Sequence, residues 1–355
     1  MPDEQPRRVL VISLGGTIAM SATDHGGVTP TLSADQLLAA VTGLGDLDIA
    51  VDTLDFRRLP GASLSFADLI DLAEVLRDRY AAGTDGIVVV QGTDTIEEAA
   101  YLLDLYHSGP QPLVVTGAMR NPTLAGPDGP ANLLAAVQTA ASPAVRNAGC
   151  VVVLADEIHS ARRVHKMHST AGSAFQSPNG GPLGYLVEGH PRLLNATTSR
   201  VAVPACARQP PPRVALVTVV LGDDGLGLDP VQDRVDGVVV AGFGVGHVPH
   251  WLVDRLAQLV SRVPVVLASR TGAGSVLTET YGFPGSERDL LGRGLIPAGF
   301  LDPLKARILL HVLLAADADH QTIKSAFAVA GGYGDAAGWT WPATVGTRSE
   351  GAARA

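Results

Sequence analysis

The stretch GIVVVQGTDTIEEAAYLLDLYH, residues 86–107, joins two patterns of different period within a short length of chain. Its first five residues form an uncharged, mostly β-branched run, as in a parallel strand that is covered on both faces. After the polar turn at 92–94, apolar residues recur at helical spacing. A strand followed at once by a helix is the repeating unit of an α/β fold, so this stretch predicts that fold class.

The same alternation continues in both directions along the chain. Continuous apolar runs predict strands at 9–14, 86–92, 112–118, 150–156, 213–221, 236–244 and 263–269. Helical spacing predicts helices at 65–80, 95–107, 129–141, 250–262 and 303–317. Because the strands do not alternate apolar with polar residues, we expect parallel sheets covered on both faces.

A run of three prolines divides the chain. It lies within CARQPPPR, residues 206–213, and consecutive prolines cannot join a helix interior or a central strand. We therefore predict an N-terminal domain at 1–205, a linker at 206–213 and a C-terminal domain at 214–355.

Composition excludes several classes of protein. The 355 residues carry a net charge of −9 and no basic stripe, which argues against a nucleic-acid partner because phosphate binding depends on clustered Lys and Arg. No segment reaches roughly 18 uninterrupted apolar residues, so we expect no membrane span. Asp3 and Glu4 precede the first apolar run and glycines interrupt it, which argues against a signal peptide. A cytoplasmic location is the resulting expectation.

Polar side chains follow two of the predicted strands. Ligands bind at the carboxyl ends of strands in an open parallel sheet. Thr17 follows the first strand, and Thr93 and Asp94 follow the strand at 86–92, so these groups would meet if the two strands are neighbours. Residues 95–98 fit a capping box that would start a helix and direct backbone N–H groups toward the pocket. This stretch alone supports equally well the alternative that these residues only cap a helix.

The glycine-rich turns do not match nucleotide-binding motifs. The Gly-Gly-Thr at 15–17 lacks the Gly-Lys-Ser/Thr ending of a P-loop. The later segment GFGVGH, residues 242–247, lacks the spacing of a dinucleotide fingerprint. We expect no nucleotide cofactor.

A histidine-rich segment lies at 156–184. It contains Asp156, Glu157, His159, His165 and His168, whose spacing fits no standard zinc pattern, so no metal is expected. Lys166 lies in the same segment, and a lysine withdrawn from water can lose its proton near neutral pH and act as a base. A surface lysine is the alternative interpretation.

Taken together, the motifs resemble one family, the bacterial-type L-asparaginases, which include glutaminase-asparaginases. The matching N-terminal segments are SLGGTIAM (13–20), VVVQGTDTIEEAA (88–100), VVTGAMRNP (114–122), DGPANLLAA (128–136) and ARRVHKMHSTAGSAFQSPNGGPLG (161–184). The matching C-terminal segments are GFGVGH (242–247), ASRTGAG (268–274) and GFLDPLKARILL (299–310). The resemblance covers nearly the whole chain.

The resemblance implies a fold and an assembly. It implies a larger N-terminal domain with a flavodoxin-like parallel sheet and a smaller, Rossmann-like C-terminal α/β domain. It also implies a homotetramer built as a dimer of dimers, in which each site lies between one subunit's N-terminal domain and a neighbour's C-terminal domain. No cofactor is implied.

The resemblance assigns catalytic roles residue by residue. Thr17 matches the family's nucleophile. Thr93, Asp94 and Lys166 match a second group, in which the lysine and the aspartate polarise the threonine hydroxyl or a water. The implied reaction is acyl transfer: a threonine oxygen attacks the side-chain amide of L-asparagine, ammonia leaves, and water hydrolyses the β-aspartyl ester.

Other positions are implied to bind the substrate. Asp94 would hold the α-ammonium group, the Ala118 carbonyl would accept from the substrate amide, and backbone N–H groups near Gly16 would form an oxyanion hole. His247 and Glu279 would reach a neighbour's site. The complete implied set is Gly16, Ser63, Gly92, Thr93, Asp94, Ala118, His247 and Glu279.

Two positions depart from the family pattern. The family's loop after the nucleophile carries a tyrosine that helps to activate it, and here Val28 occupies that place. Its role could pass to Thr23, His25, Thr29 or a water, or activation could depend more on Thr93 and Lys166.

The second departure concerns the serine that binds the substrate's α-carboxylate in the family. Alignment on the helix at 65–80 puts Gly61 at that position, and Ser63 stands two residues further on. Ser63 is therefore a weaker assignment.

The leading functional prediction is hydrolysis of L-asparagine to L-aspartate and ammonia, with slower hydrolysis of L-glutamine. The D subunit of archaeal glutamyl-tRNA amidotransferase shares these motifs, but it carries an extra N-terminal domain that we do not expect here. The alternative class is an amino-acid binding or sensing module that has lost efficient catalysis, as Val28 and Gly61 suggest. Retention of all four catalytic positions favours the enzyme.

Overall fold

A computed structural model describes residues 6–22, 28–196, 200–204, 210–229, 234–334 and 339–341, with the backbone alone for 22 and 28–30. Two large, separate sheets with packed helices confirm an α/β fold of two domains, and two small two-stranded sheets accompany them. Thr23, His25 and residues 206–209 of the expected linker lie outside the described ranges. The proposed domain boundaries therefore stay a prediction.

The strands and helices of the described ranges are numbered in chain order. The strands are β1 (Arg7–Ser13), β2 (Met20–Ala22), β3 (Val28–Pro30), β4 (Ile49–Asp55), β5 (Gly86–Val90), β6 (Leu113–Thr116), β7 (Cys150–Leu154), β8 (Glu157–Ser160), β9 (His165–Lys166), β10 (Phe175–Gln176), β11 (Gly184–Val187), β12 (His190–Leu193), β13 (Val214–Thr218), β14 (Gly237–Gly242), β15 (Val265–Ser269) and β16 (Ile296–Pro297). The helices are α1 (Ala34–Ala39), α2 (Phe66–Ala81), α3 (Ile96–Tyr106), α4 (Gly129–Ala141), α5 (Val253–Val260), α6 (Glu287–Gly292), α7 (Pro303–Ala315) and α8 (His320–Ala330).

The N-terminal sheet has eight strands in the order β12-β11-β8-β7-β6-β5-β1-β4. The five adjacent strands β7, β6, β5, β1 and β4 run parallel, as the apolar runs predict. The pairings β7–β8, β8–β11 and β11–β12 are antiparallel, so the sheet is mixed. The change of direction occurs at a two-residue turn, where Ala155 and Asp156 both have left-handed φ angles of 50° and 61°. A tight turn of this kind joins antiparallel strands, and the dipeptide Ala-Asp carries no strong sequence signal for it.

The C-terminal sheet is parallel throughout, in the order β13-β14-β15-β16. Helix α7 packs against β13 and β14 on one side and against α3 of the N-terminal domain on the other. A single buried apolar cluster includes Leu72 and Leu102 from one domain and Leu309 and Phe327 from the other. Burial of apolar area across the boundary therefore fixes the two domains against each other.

Helix boundaries follow the predictions to within a few residues, and two details differ. The expected capping box at 95–98 does not form, because the hydroxyl of Thr95 donates to the Gly61 carbonyl at 2.9 Å and bonds no backbone N–H of α3. The pattern at 250–262 begins with a 3-10 turn, His250–Leu252, before α5. None of the helices in the described ranges combines the length and apolar character that crossing a bilayer requires.

Candidate active site

The register of two parallel strands brings the two threonine-bearing loops together. Strands β1 and β5 are direct neighbours, and Ser13 at the end of β1 pairs with Val90 at the end of β5. The segments that follow β1 and β5 therefore leave the sheet at the same edge and at the same height. Thr17 and Thr93 each follow within a few residues, which places them on the same side of the molecule, as the strand order requires.

Three glycines allow the loops at this edge to touch. Gly16 has a φ angle of +88°, and a Cβ atom there would lie 2.1 Å from the backbone N of Gly92. A Cβ on Gly92 would in turn lie 2.8 Å from the backbone N of Gly61. Only glycine combines this positive φ with so close a backbone approach. The loops that carry Thr17, Gly61 and Thr93 consequently form one junction.

Lys166 connects the second threonine to its neighbouring carboxylate. Its Nζ atom donates to Thr93 Oγ1 at 3.0 Å and to Asp94 Oδ1 at 2.8 Å. We call Thr93, Asp94 and Lys166 the Thr93 cluster. The Lys166 side chain is only 14% exposed, whereas the Asp94 side chain is 67% exposed and accessible to a ligand. These distances are those that a base needs to exchange a proton with a hydroxyl.

Thr17 lies in the 3-10 turn Thr17–Ala19, whose Ile18 and Ala19 are buried. Its hydroxyl is partly exposed and makes no hydrogen bond to any residue that the structure describes. The turn leads into a two-stranded ribbon of β2 and β3, in which Met20 pairs with Pro30. The side chains of Val28 and Thr29 on this ribbon lie outside the described part of the chain.

Ala118 lies in a loop that α4 holds against the Thr93 cluster. The Asp128 carboxylate at the start of α4 accepts from the backbone N–H groups of Met119 at 3.0 Å and Arg120 at 2.8 Å. Asn132, one turn further on, donates to the Gly117 carbonyl at 3.0 Å. The family resemblance includes the motif DGPANLLAA but implies no role for Asp128 or Asn132.

The loop approaches Thr93 directly, because a Cβ on Gly117 would lie 3.4 Å from Thr93 Cγ2. Ala118, the next residue, is fully buried. The loop consequently completes one wall of the site.

Gly61 and Ser63 share the 3-10 turn Gly61–Ser63. Gly61 is buried at the junction with Gly92, whereas Ser63 is exposed and its backbone N–H donates to the Pro60 carbonyl. Among the hydrogen bonds of the described residues, none joins the Ser63 side chain to the Thr93 cluster.

His247 and Glu279 lie in the C-terminal domain, apart from the Thr93 cluster of the same chain. His247 Nε2 lies 3.1 Å from Glu287 Oε2, and its ring packs edge-on against Tyr281 and Phe283. Glu279 is exposed. Within the described ranges, no hydrogen bond or ion pair connects either residue to the cluster.

The histidines of the segment 156–184 serve separate purposes. His159 is buried with Nδ1 3.0 Å from Ser177 Oγ, and burial lowers its pKa to about 4. His168 accepts from the backbone N–H groups of Thr170 and Ala171. His165 lies between two carboxylates. In the part of the chain that the structure describes, no three metal-ligating side chains are grouped as a metal site.

Comparison with protein families matches both domains. Residues 8–199 match the family described as "Asparaginase, N-terminal", and residues 213–327 match the "Glutaminase/Asparaginase C-terminal domain". Together the two matches cover most of the chain.

Individual relatives agree along their full length. The chain is 34% identical to an L-asparaginase of Bacillus licheniformis, covering 87% of this chain and 96% of the relative. It is 36% identical to a probable L-asparaginase of Deinococcus radiodurans, covering 92% and 98%. The crystal structure of a probable cytoplasmic L-asparaginase from Campylobacter jejuni matches with a TM-score of 0.81 at 31% identity, covering 90% of this chain and 99% of that one. The chain therefore belongs to the bacterial-type L-asparaginase/glutaminase family of hydrolases.

Proposed function

We propose that the protein hydrolyses L-asparagine to L-aspartate and ammonia through an acyl-enzyme on a threonine. The observation that carries this proposal is the contact of Lys166 Nζ with both Thr93 Oγ1 and Asp94 Oδ1. A partly buried lysine, a threonine hydroxyl and a carboxylate form the donor and acceptor set that activates a hydroxyl or a water for attack on an amide.

Thr17 is the proposed nucleophile. Its oxygen adds to the side-chain carbonyl carbon of asparagine, its proton passes to the leaving nitrogen, and the C–N bond breaks to release ammonia. The β-aspartyl ester that remains is hydrolysed by a water that the Thr93 cluster polarises, which returns the hydroxyl to Thr17. Support comes from the glycine junction, which brings the Thr17 loop against Gly92.

The proposed substrate contacts combine one exposed side chain with backbone groups of the glycine junction and of the Ala118 loop. The exposed Asp94 carboxylate holds the α-ammonium group, while Lys166 Nζ donates to Oδ1 of the same carboxylate. The Ala118 carbonyl accepts from the substrate amide. Backbone N–H groups at Gly16 and Gly92 stabilise the oxyanion, because fixed donors in a water-poor site act on charge that develops in the transition state.

The proposal also includes an α-carboxylate site and a contribution from a neighbouring subunit. Ser63 is the assigned hydroxyl for the α-carboxylate. His247 and Glu279 are proposed to reach the site of a neighbouring subunit in a homotetramer, since they lie away from the Thr93 cluster of their own chain. A cytoplasmic location and no cofactor complete the proposal.

L-Glutamine is the proposed weaker substrate. It differs from asparagine by one methylene, and a pocket discriminates one methylene by about 1–3 kcal/mol in the transition state. We therefore expect glutamine to be hydrolysed roughly 10–200-fold less efficiently.

Ammonia release from L-asparagine tests the proposal. Purified wild-type protein is expected to release ammonia, and Thr93→Val and Lys166→Met are each expected to reduce kcat by about 10²–10⁴-fold, the usual contribution of a positioned acid or base. Wild-type protein that binds asparagine in calorimetry without releasing ammonia would support the sensing module instead. Full activity in both variants would refute the assignment of the Thr93 cluster.

A further inference from the structure

Four ionisable side chains are packed together behind Lys166, where the two domains meet. They are Glu97 at the start of α3, His165 beside Lys166, Asp302 just before α7, and Lys305 in its first turn. We call them the interdomain ionic cluster. The Lys305 side chain is 0% exposed, and Glu97 and Asp302 are also buried. Charges so far from water are costly unless each is paired.

Lys305 uses its ammonium group to hold three acceptors. Its Nζ atom donates to the Val164 carbonyl at 2.6 Å, to Asp302 Oδ2 at 2.9 Å and to Glu97 Oε2 at 3.4 Å. An ammonium group has three N–H bonds, so its donors are fully used. A residue of the C-terminal domain thereby fixes the backbone of the N-terminal domain two positions before Lys166.

His165 closes the cluster on the other side. Its Nδ1 lies 2.9 Å from Glu97 Oε2 and its Nε2 lies 3.3 Å from Asp302 Oδ2. The ring therefore spans a carboxylate of each domain. His165 and Asp302 also line a cavity of about 910 Å³ between the domains.

Both carboxylates of the cluster are held ionised. Burial tends to raise the pKa of Glu97, but the hydrogen bond to His165 and the charge of Lys305 outweigh it and keep that pKa below its ordinary value. Burial acts on Asp302 in the same way, and the charges of Lys305 and His165 keep its pKa low.

The interdomain ionic cluster contacts the chain next to both partners of the Lys166 contact. On the Lys166 side, Lys305 donates to the Val164 carbonyl, and the cluster member His165 directly precedes Lys166. On the Asp94 side, the cluster member Glu97 lies one helical turn after Asp94. The strand that carries Lys166 supplies little support of its own, because β9 has two residues and, among the strands of the described ranges, pairs with β10 alone, Lys166 opposite Phe175.

We propose that the interdomain ionic cluster positions Lys166 against Thr93 and Asp94, and that Lys305 is a positioning residue for the hydrolysis. This inference rests on the proposed function. Loss of the Nζ–Val164 bond frees the backbone beside Lys166 while leaving Thr17 and Asp94 in place to bind substrate. A displacement of about 1 Å at a reacting group can reduce a rate about 10²-fold. Lys305→Met should therefore lower kcat by about 10–100-fold and change KM by less than about threefold.

A pair of variants separates positioning from stability. Lys305→Met leaves two buried carboxylates against one histidine and is expected to lower the melting temperature. Adding Glu97→Gln removes one of those carboxylates and is expected to raise the melting temperature again, but the Val164 carbonyl still lacks its donor. We expect kcat to stay low in the double variant. A kcat that returns together with the melting temperature would show a merely structural role and overturn the proposal.

His165→Gln provides the test if Lys305→Met does not fold, because His165 is less buried and its removal leaves Lys305 paired. It is expected to reduce kcat at unchanged KM. Lys324→Met is the matched control for Lys305→Met, since Lys324 is an exposed lysine of the same domain as Lys305. It should leave kcat unchanged. A kcat within twofold of wild type in His165→Gln would overturn the proposal.

Hydrogen exchange tests the same inference without activity. Peptides covering 164–176 are expected to exchange faster in Lys305→Met than in wild type or Lys324→Met. Unchanged exchange in these peptides would overturn the positioning role. If wild-type protein releases no ammonia but exchange does increase, the proposed function fails while the positioning of Lys166 stands.

Discussion

At the scale of single residues, Gly16 can be compared with Gly43, because both have positive φ angles, +88° and +83°. A Cβ at Gly16 would collide with the Gly92 backbone, whereas nothing lies within 4 Å of one at Gly43. Gly43→Ala should therefore cost only the left-handed strain, about 1–2 kcal/mol. Gly16→Ala should cost more and should abolish activity. Urea unfolding and ammonia release measure both effects, and equal behaviour of the two variants would contradict the glycine junction.

His159 should make stability depend on pH. Burial lowers its pKa in the folded state to about 4, below the ordinary value of 6.5. The Glu157 carboxylate lies 3.1 Å away, but its side chain is 38% exposed, so solvent screens it and burial dominates. As the pH falls, His159 takes up a proton in the unfolded chain before it does so in the folded protein. Its contribution to the free energy of unfolding is therefore fully present above about pH 6.5 and is lost as the pH drops toward 4.

The slope should be about 1.4 kcal/mol per pH unit for each such histidine. His159→Gln should reduce the pH dependence of the free energy of unfolding by the amount due to one histidine. His190→Gln, a control at an exposed histidine, should leave it unchanged. Urea unfolding at several pH values between 4.5 and 7 measures the slopes. Identical slopes in wild type and His159→Gln would contradict a neutral, buried His159.

The sequence could predict which residue types meet at the site, since Thr17, Thr93 and Asp94 all follow strands whose carboxyl ends share one edge. The contact of Lys166 depends on a partner 73 positions away, and the family resemblance supplied it. No local pattern could identify Lys305, because a lysine in a helix at 303–317 is ordinarily exposed. Its burial depends on Glu97, which is remote in sequence.

At the scale of elements, helix α4 organises two loops through one side chain. Asn132 donates to the Gly117 carbonyl and accepts from the Ala155 backbone N–H at 3.0 Å. Asn132→Ala should leave the buried Gly117 carbonyl unpaired, at about 1–3 kcal/mol, while the N–H of the exposed Ala155 can bond water instead, and it should lower activity because Ala118 is then less well fixed. Gln138→Ala on the same helix should do neither. Unfolding and ammonia release check this prediction, and a silent Asn132→Ala would contradict it.

Elements with strong periodicity were predicted well, and those defined by their partners were not. The helix at 129–141 matches the structure in both boundaries. Strands β8, β11 and β12 were not predicted, because they are short and partly exposed, and only antiparallel pairing defines them. The capping box expected at 95–98 was wrong because Gly61 competes for the Thr95 hydroxyl.

At the scale of the whole molecule, the two domains share more than a linker. His311 of α7 stacks on Phe66 of α2 with ring centroids 3.7 Å apart. The interdomain ionic cluster and the shared apolar core join α7 to α3 at the back of the Thr93 cluster. The C-terminal domain thus packs against the elements that carry the Thr93 cluster of its own chain, and the positioning role proposed for it there is separate from the role proposed for His247 and Glu279 in a neighbour's site.

The central claim is that this molecule is an asparagine hydrolase that acts through the Thr17 hydroxyl. The most direct measurement is the rate of ammonia release from L-asparagine by wild type, Thr17→Ser and Thr17→Ala under the same conditions. We expect release by wild type, measurable release by Thr17→Ser, which keeps the hydroxyl, and a loss of at least about 10³-fold in Thr17→Ala. Thr17→Ala that releases ammonia as fast as wild type, or wild type that releases none, would contradict it.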